Sequence, residues 1–275
     1  MLNVKLHHLS FTTDNLETMI TFYRDQMGMV EIRENGSDII LQAKNRIMHL
    51  TNGPSNQLNY AAYGTPSQSA LMDLRKRHEE AGLAISLSPS LVFGKEAYAL
   101  TDPDGNKMVF GLYTEPTNSI NSMPGRMQHV VVASSKVQPM IDYYTEKVGF
   151  VVSDIVRRDD GTITACFMRS DNEHHSFAVF LGDATKLDHN CYETNNWNDI
   201  RDWADHFSKS KITLWWGPGR HGPGDNLFFM VSDPDGNSVE LSAEIEIVAD
   251  DRKTGDWLHE ERTLNYWGKG MLRVD

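Results

Sequence analysis

The chain has 275 residues, of which 23% are charged and 40% hydrophobic, a composition that suits a soluble globular protein of one large or two medium domains. No apolar run approaches the length of a membrane span, and the start MLNVKLHHLSFTT has neither the basic opening nor the apolar stretch of a signal peptide. The net charge of −12, with Lys and Arg scattered apart from short pairs such as Arg157-Arg158, argues against nucleic acid, which needs clustered cations to neutralise phosphate.

In chain order, LHHLSFTTDNLETMITFYRDQMGMVE (6–31) reads as a short apolar strand with His8, a polar turn and an amphipathic helix. Met19, Phe22 and Tyr23 share the helix's apolar face and Gly28 closes it. LNYAAY (58–63) leads to a helix near 67–82, and TDPDGNKMVF (101–110) is a turn between two strands. Pro presets one backbone angle of that turn and Gly permits the unusual one. TEPTNSINSMPG (114–125), rich in Pro, Asn and Ser, reads as a linker.

The series then repeats. MQHVVVASSKVQPMIDYYTEKVGFVV (127–152) gives strand, turn and helix again, with Val137, Met140, Ile141 and Tyr144 on the apolar face and Gly149 at the exit. LDHNCY (187–192) leads to a helix near 196–209, and SDPDGNSVEL (232–241) repeats the turn. Four modules of strand, helix and several strands emerge, at about 1–55, 56–120, 125–183 and 184–248. The expected class is α+β, with each helix packed on one face of a curved mixed sheet. They group as an N-terminal domain (1–120), a C-terminal domain (125–248) and a tail (249–275). Cys166 and Cys191 are too few for a disulfide framework, so a reducing cytoplasm is the expected setting.

Overlaying the halves sets His8 opposite His129, Tyr60 opposite His189 and Val109 opposite Glu240. Two imidazoles and a carboxylate form the facial triad that holds a ferrous ion with coordination positions left open. Any one of His129, His189 and Glu240 alone reads as an ordinary strand residue. Together, on equivalent strands of paired modules, they read as ligands. In NSVELS, Glu240 alternates with Val239 and Leu241, so it faces the concave side while they face the helices. A lone buried carboxylate is costly, and a metal removes the cost. Tyr60 and Val109 are not substitutes for imidazole and carboxylate, so the first half is expected to be metal-free, with His8 structural. With no thiolate among the three, the set suits Fe(II), Mn(II) or Zn(II).

The paired modules, the DPDGN turns and the His129/His189/Glu240 set resemble the vicinal oxygen chelate superfamily, specifically the two-domain type I extradiol ring-cleaving dioxygenases. The resemblance covers nearly the whole chain. GRHGPGDNLFFMVSDPDGNSVEL (219–241) is its specific part, and the tail RTLNYWGKG (262–270) is similar to the C-terminal lid of homoprotocatechuate-type members. It implies four βαβββ modules as paired half-barrels, and Fe(II), with Mn(II) second, in the C-terminal copy. It further implies a homo-oligomer that cleaves a catechol-type diol with O2 to a 2-hydroxymuconate-type aldehyde or ketone.

The resemblance makes His175, in DNEHHSFAVF, the acid–base residue beside the oxygen site, and His221, in GRHGPG, the partner of a metal-bound phenolic oxygen. From the residues alone, each reads equally as a loop histidine. Gly219, Gly222 and Gly224 allow the His221 loop to approach a ligand closely. His174 faces the other way if this segment is strand, and supports His175. One position departs from the family: Met230 stands where a tyrosine is usual, and methionine offers only a weak sulfur acceptor. That puts the usual hydrogen-bond scheme in question without touching metal binding. Tyr192 is a neighbouring donor considered in its place, and Arg262 a partner for a substrate carboxylate. Trp257 and Trp267 in the tail mark either a lid over the cleft or a subunit contact. Two other classes remain: a glyoxalase-like isomerase, against which Tyr60 and Val109 argue, and a metal-free small-molecule binding protein, which has no need of a complete triad.

Overall fold

Alternation of apolar and polar residues builds two mixed sheets, one from each half of the chain. The computed structural model describes residues 1–36, 38–115, 122–249 and 251–272; the middle of the expected linker and the last three residues of the tail lie outside the described residues. The first half runs β1 (Lys5–Thr13), α1 (Leu16–Thr21), β2 (Val30–Asn35), β3 (Asp38–Ala43), β4 (Arg46–Asn52), β5 (Gln57–Thr65), α2 (Gln68–Glu80), β6 (Ser86–Leu87), β7 (Tyr98–Thr101) and β8 (Lys107–Leu112). The second half repeats it: β9 (Arg126–Ser134), α3 (Val137–Asp142), β10 (Val151–Arg157), β11 (Ile163–Arg169), β12 (Phe177–Leu181), β13 (Lys186–Glu193), α4 (Trp197–Lys209), β14 (Trp216–Arg220), β15 (Leu227–Ser232) and β16 (Ser238–Ala243). The tail adds β17 (Gly255–Leu258) and α5 (Glu261–Leu264).

Strand order is β2-β3-β4-β1-β5-β8-β7-β6 in the first sheet and β14-β15-β16-β13-β9-β12-β11-β10-β17 in the second. Read from opposite ends these are one topology, with β17 added at an edge by parallel pairing to β10. At each centre an antiparallel pair, β1–β5 or β9–β13, is flanked by parallel neighbours. This is the α+β arrangement of two mixed sheets expected from the repeats.

The two amphipathic helices differ from their expected form. Each is a short α-helix that widens into a π-helical turn, Phe22–Gln26 after α1 and Tyr143–Val148 after α3. The widening has a structural correlate. Tyr23 Oη donates to Asp233 Oδ2 at 3.1 Å and Tyr144 Oη donates to Asp102 Oδ2 at 2.9 Å. Asp102 and Asp233 are the first residues of the two DPDG turns, and each also accepts backbone N–H groups within its own turn. The helix of each half thus reaches into the turn of the other half. Burial pushes the Asp233 carboxyl up to about 6.

Packing fixes the strand that matters most. Helix α4 starts on Asn196, whose side chain accepts from the N–H groups of Asn198 and Asp199. Ile200, Trp203 and Phe207, at helical spacing, are buried against the sheet. Val239 and Leu241 of β16 are fully buried in the same core, each worth about 1.5–3 kcal/mol of burial. With those two facing the helices, Glu240 between them faces the other way.

Replacing Tyr23 or Tyr144 by Phe removes one donor from a buried carboxylate, and each change is expected to lower stability by about 1–3 kcal/mol. The two losses should add, since the pairs share no partner. Urea-unfolding midpoints check this; two unchanged midpoints would show the cross-ties contribute nothing.

Candidate metal centre

β9, β13 and β16 are neighbours, and their register brings the three candidate ligands together. Cys191 on β13 sits opposite both His129 on β9 and Glu240 on β16, and His189 lies two residues earlier on the same face. His129 Nε2 is 3.2 Å from His189 Nε2. Glu240 Oε2 is 3.6 Å from His129 Nε2 and 3.3 Å from His189 Nε2. Donor atoms about 2.0–2.2 Å from one cation, set at right angles, lie about 3 Å apart. The triangle fits one ion.

The atoms behind the ligands strengthen the fit. His129 Nδ1 donates to Gln128 Oε1, and His189 Nδ1 donates to Asp188 Oδ1 at 2.6 Å. With Nδ1 carrying the hydrogen, both Nε2 lone pairs point at the same spot. Glu240 Oε1 accepts from Asn226 Nδ2 at 3.2 Å. His129 and Glu240 are each 1% exposed and His189 4%. A proton is a poor remedy, because burial pushes the His129 imidazole below its usual range. A cation satisfies all three groups at once.

Cys191 also places its sulfur within 4.8 Å of ligand atoms of His129 and Glu240. Burial pushes its thiol well up, and Sγ is 3.0 Å from Ser242 Oγ. It is a protonated neighbour beneath the ion site; the imidazole of His189 is the better third donor.

The open side of the triangle faces a narrow cleft, with about 30 Å³ of space for a water-sized sphere. Phe167, Phe180, Trp216 and Leu264 give it apolar walls, and His175, His221 and Met230 reach it. His221 Nδ1 donates to the Leu264 carbonyl at 2.6 Å, its ring stacks on Phe228 at 3.7 Å, and its Nε2 is 3.7 Å from Glu240 Oε1. The His175 ring centre is 4.4 Å from that of His129. His175 lies in the loop before β12, not on a strand. Met230 pairs in register with Glu240.

Other expected contacts fall elsewhere. Tyr192 does not reach the cleft: three residues after His189, it faces the main core and is fully buried there. His174 is fully buried behind His175. Arg262 stacks over the Tyr266 ring, 5.6 Å from its centre, and is not among the cleft residues. Of the glycines of the His221 loop, Gly219 and Gly222 face the tail and Gly224 faces His174 and Asn226. A Cβ at Gly222 would come within 2.8 Å of both the Thr263 carbonyl and the Trp257 ring. Thr263 and Leu264 of the tail line the cleft.

In the first half the equivalent space is filled. His8 Nε2 pairs with Ser90 Oγ at 2.8 Å, and the Phe93 ring lies 4.7 Å from the His8 ring. Tyr60, Phe93 and Val109 form a small apolar cluster there. Gln128 and Asp188 were not singled out from the sequence, although each immediately precedes a candidate ligand histidine.

Residues 126–241 match the family described as Glyoxalase/Bleomycin resistance protein/Dioxygenase superfamily. Metapyrocatechase 2 of Cupriavidus necator is 31% identical over 148 residues, 53% of this chain and 45% of that relative's length. The 3-methylcatechol 2,3-dioxygenase of Pseudomonas putida is 23% identical over 86% of this chain and 88% of its own. Among solved structures, the Mn(II)-bound glyoxalase of Novosphingobium aromaticivorans superposes with a TM-score of 0.84 at 23% identity, covering 98% of this chain and 93% of that one. Homoprotocatechuate 2,3-dioxygenase of Arthrobacter globiformis gives 0.82 at 21%, covering 98% and 88%. At these identities the structural likenesses establish the fold alone.

Replacing Gln128 or Asp188 by Ala frees a ligand imidazole to rotate and is expected to weaken divalent-metal affinity about 10–100-fold. Competition against a chromogenic chelator measures it; an unchanged affinity in both variants would separate these residues from the metal.

Proposed function

We propose, from the match of residues 126–241 to the glyoxalase/bleomycin resistance protein/dioxygenase superfamily, that this chain is an extradiol dioxygenase with its centre in the second half. The carrying observation is the convergence of His129, His189 and Glu240 in one copy only, open toward an apolar cleft with two further imidazoles. The sequence relatives, named as catechol-cleaving enzymes, support the same reading. His129, His189 and Glu240 would hold Fe(II), with Mn(II) the second choice. Bound there, the ion supplies chelation of the two diol oxygens and activation of O2.

The chain's own residues do the rest. The apolar walls hold the aromatic ring flat and exclude water. His221 gives its Nδ1 hydrogen to Leu264, so the neutral ring presents Nε2 as an acceptor. It takes a diol proton and then, as imidazolium, donates back to the phenolate oxygen. Met230 offers no second donor beside Glu240, which leaves that task to His221. His175 holds and returns a proton on the side next to His129. The product is a 2-hydroxymuconate-type aldehyde or ketone. No Lys or Arg lines the cleft among the described residues, so a neutral catechol suits it better than a carboxylated one. The reading also expects a cytoplasmic homo-oligomer with both cysteines, free and buried, kept reduced.

A glyoxalase-like isomerase shares the fold. One that draws ligands from both halves would need them where Tyr60 and Val109 stand, buried in an apolar cluster. Anaerobic loading with Fe(II), followed by oxygen uptake with a catechol panel, tests the proposal. Oxygen consumption with a yellow product is expected, faster for neutral than for carboxylated catechols. Turnover of a hemithioacetal with no oxygen uptake would replace the reading by the isomerase. His175→Asn should cut turnover about 10²–10⁴-fold with metal content unchanged; loss of metal instead would make His175 a ligand.

A further inference from the structure

A second cluster of buried polar groups lies behind the cleft. Asp154, on β10 beside a register shift, has no exposed surface. A carboxylate buried this way is costly unless its oxygens are satisfied. Oδ1 accepts from Arg252 Nη1 at 2.8 Å and from the Gly255 N–H at 3.1 Å. Oδ2 accepts from Trp257 Nε1 at 2.8 Å and lies 2.9 Å from His174 Nε2. Three of the four neighbours belong to the C-terminal tail, and the fourth is the residue that precedes His175.

A carboxylate has acceptors only, and an oxygen this close repels a bare ring lone pair. The approach lacks the line of a hydrogen bond, but at 2.9 Å the negative oxygen still favours a hydrogen over a bare lone pair, so His174 carries its hydrogen on Nε2. Glu246 Oε2, 4.0 Å from the same nitrogen, favours the same choice. In the neutral ring, Nδ1 of His174 is then an acceptor, and it lies 3.0 Å from His175 Nδ1. His175 must donate from Nδ1, which leaves its Nε2 with an open lone pair for the cleft it lines. Free histidine prefers the opposite tautomer, so the neighbours impose this one.

We propose that Asp154 and His174 are positioning residues that set the tautomer and orientation of His175, and that Asp154 couples this setting to the docking of the C-terminal tail. What His175 does with the open nitrogen rests on the function proposed above; the tautomer and the coupling do not. A purely structural role for Asp154, as the buried partner of Arg252, would leave the His175 tautomer free to take its ordinary form.

The test reads tautomers by 15N chemical shifts in long-range 1H–15N spectra of the full chain loaded with diamagnetic Zn(II). In the unaltered protein, His174 should be protonated on Nε2 and His175 on Nδ1. A neutral His175 protonated on Nε2 would overturn the proposal without any variant. In Asp154→Asn, the charged Arg252 and the Gly255 N–H claim the one remaining oxygen, which turns the amide NH2 toward His174 and costs the Trp257 indole N–H its acceptor. Both histidine tautomers should then invert, and amide exchange of 252–258 should speed up at least tenfold. Unchanged tautomers with unchanged tail exchange would sink it. Trp257→Phe keeps the carboxylate, so it should speed tail exchange while leaving both tautomers as they are; inversion there would break the assigned order of control. Ring-cleavage failure with the expected tautomers in place would count against the proposed function, not against this inference.

Discussion

Two imidazole lone pairs and a carboxylate oxygen meet within 3.2–3.6 Å of one another on nearly fully buried side chains. Among the described residues no side-chain cation relieves that convergence, and the hydrogen bonds behind it enforce it. Gln128 and Asp188 hold the histidine hydrogens on the far nitrogens. The parallel pairing of β13 with β16 and the antiparallel pairing with β9 fix the height of each ligand. Helix α4 presses on the opposite face of β16 and keeps Glu240 turned inward. A cation at this point, as proposed, would relieve the arrangement, because the alternatives are a buried unpaired charge or an imidazolium that burial disfavours.

The first half shows the same scaffold without that convergence. Its sheet has the same strand order, yet Tyr60, Phe93 and Val109 fill the space where an ion would sit, and His8 is satisfied by Ser90. Duplication therefore separates two roles. One copy closes its concave face with aromatic packing, and the other leaves it open and polar. The copies are tied through Tyr23–Asp233 and Tyr144–Asp102, so a turn of the half that carries the candidate ligands is anchored partly by the other half.

Much of this was legible because repeats carry their own control. The mismatch of Tyr60 with His189 and of Val109 with Glu240 located the site, and strand alternation at Val239-Glu240-Leu241 gave its orientation. Tyr192 was misplaced as a substrate contact although parity argued otherwise: it stands an odd number of residues from His189 and faces the core. The π-helical turns were not legible, since they serve bonds to the other half's DPDG turns, a long-range demand that local spacing does not record. Asp154 left no periodic signal either. Its role comes from a register shift on β10 and from a tail strand that pairs beside it. The glycines around His221 were read as room for a ligand; the tail occupies that room at Gly219 and Gly222.

The central claim is that one cation is shared by three strands of the second half alone. Metal stoichiometry by mass spectrometry on the purified chain, with Glu240→Ala and His8→Ala beside it, addresses that claim most directly. The account predicts about one divalent ion per chain in the unaltered protein and in His8→Ala, and almost none in Glu240→Ala. Full metal retention in Glu240→Ala, or its loss in His8→Ala, would contradict it.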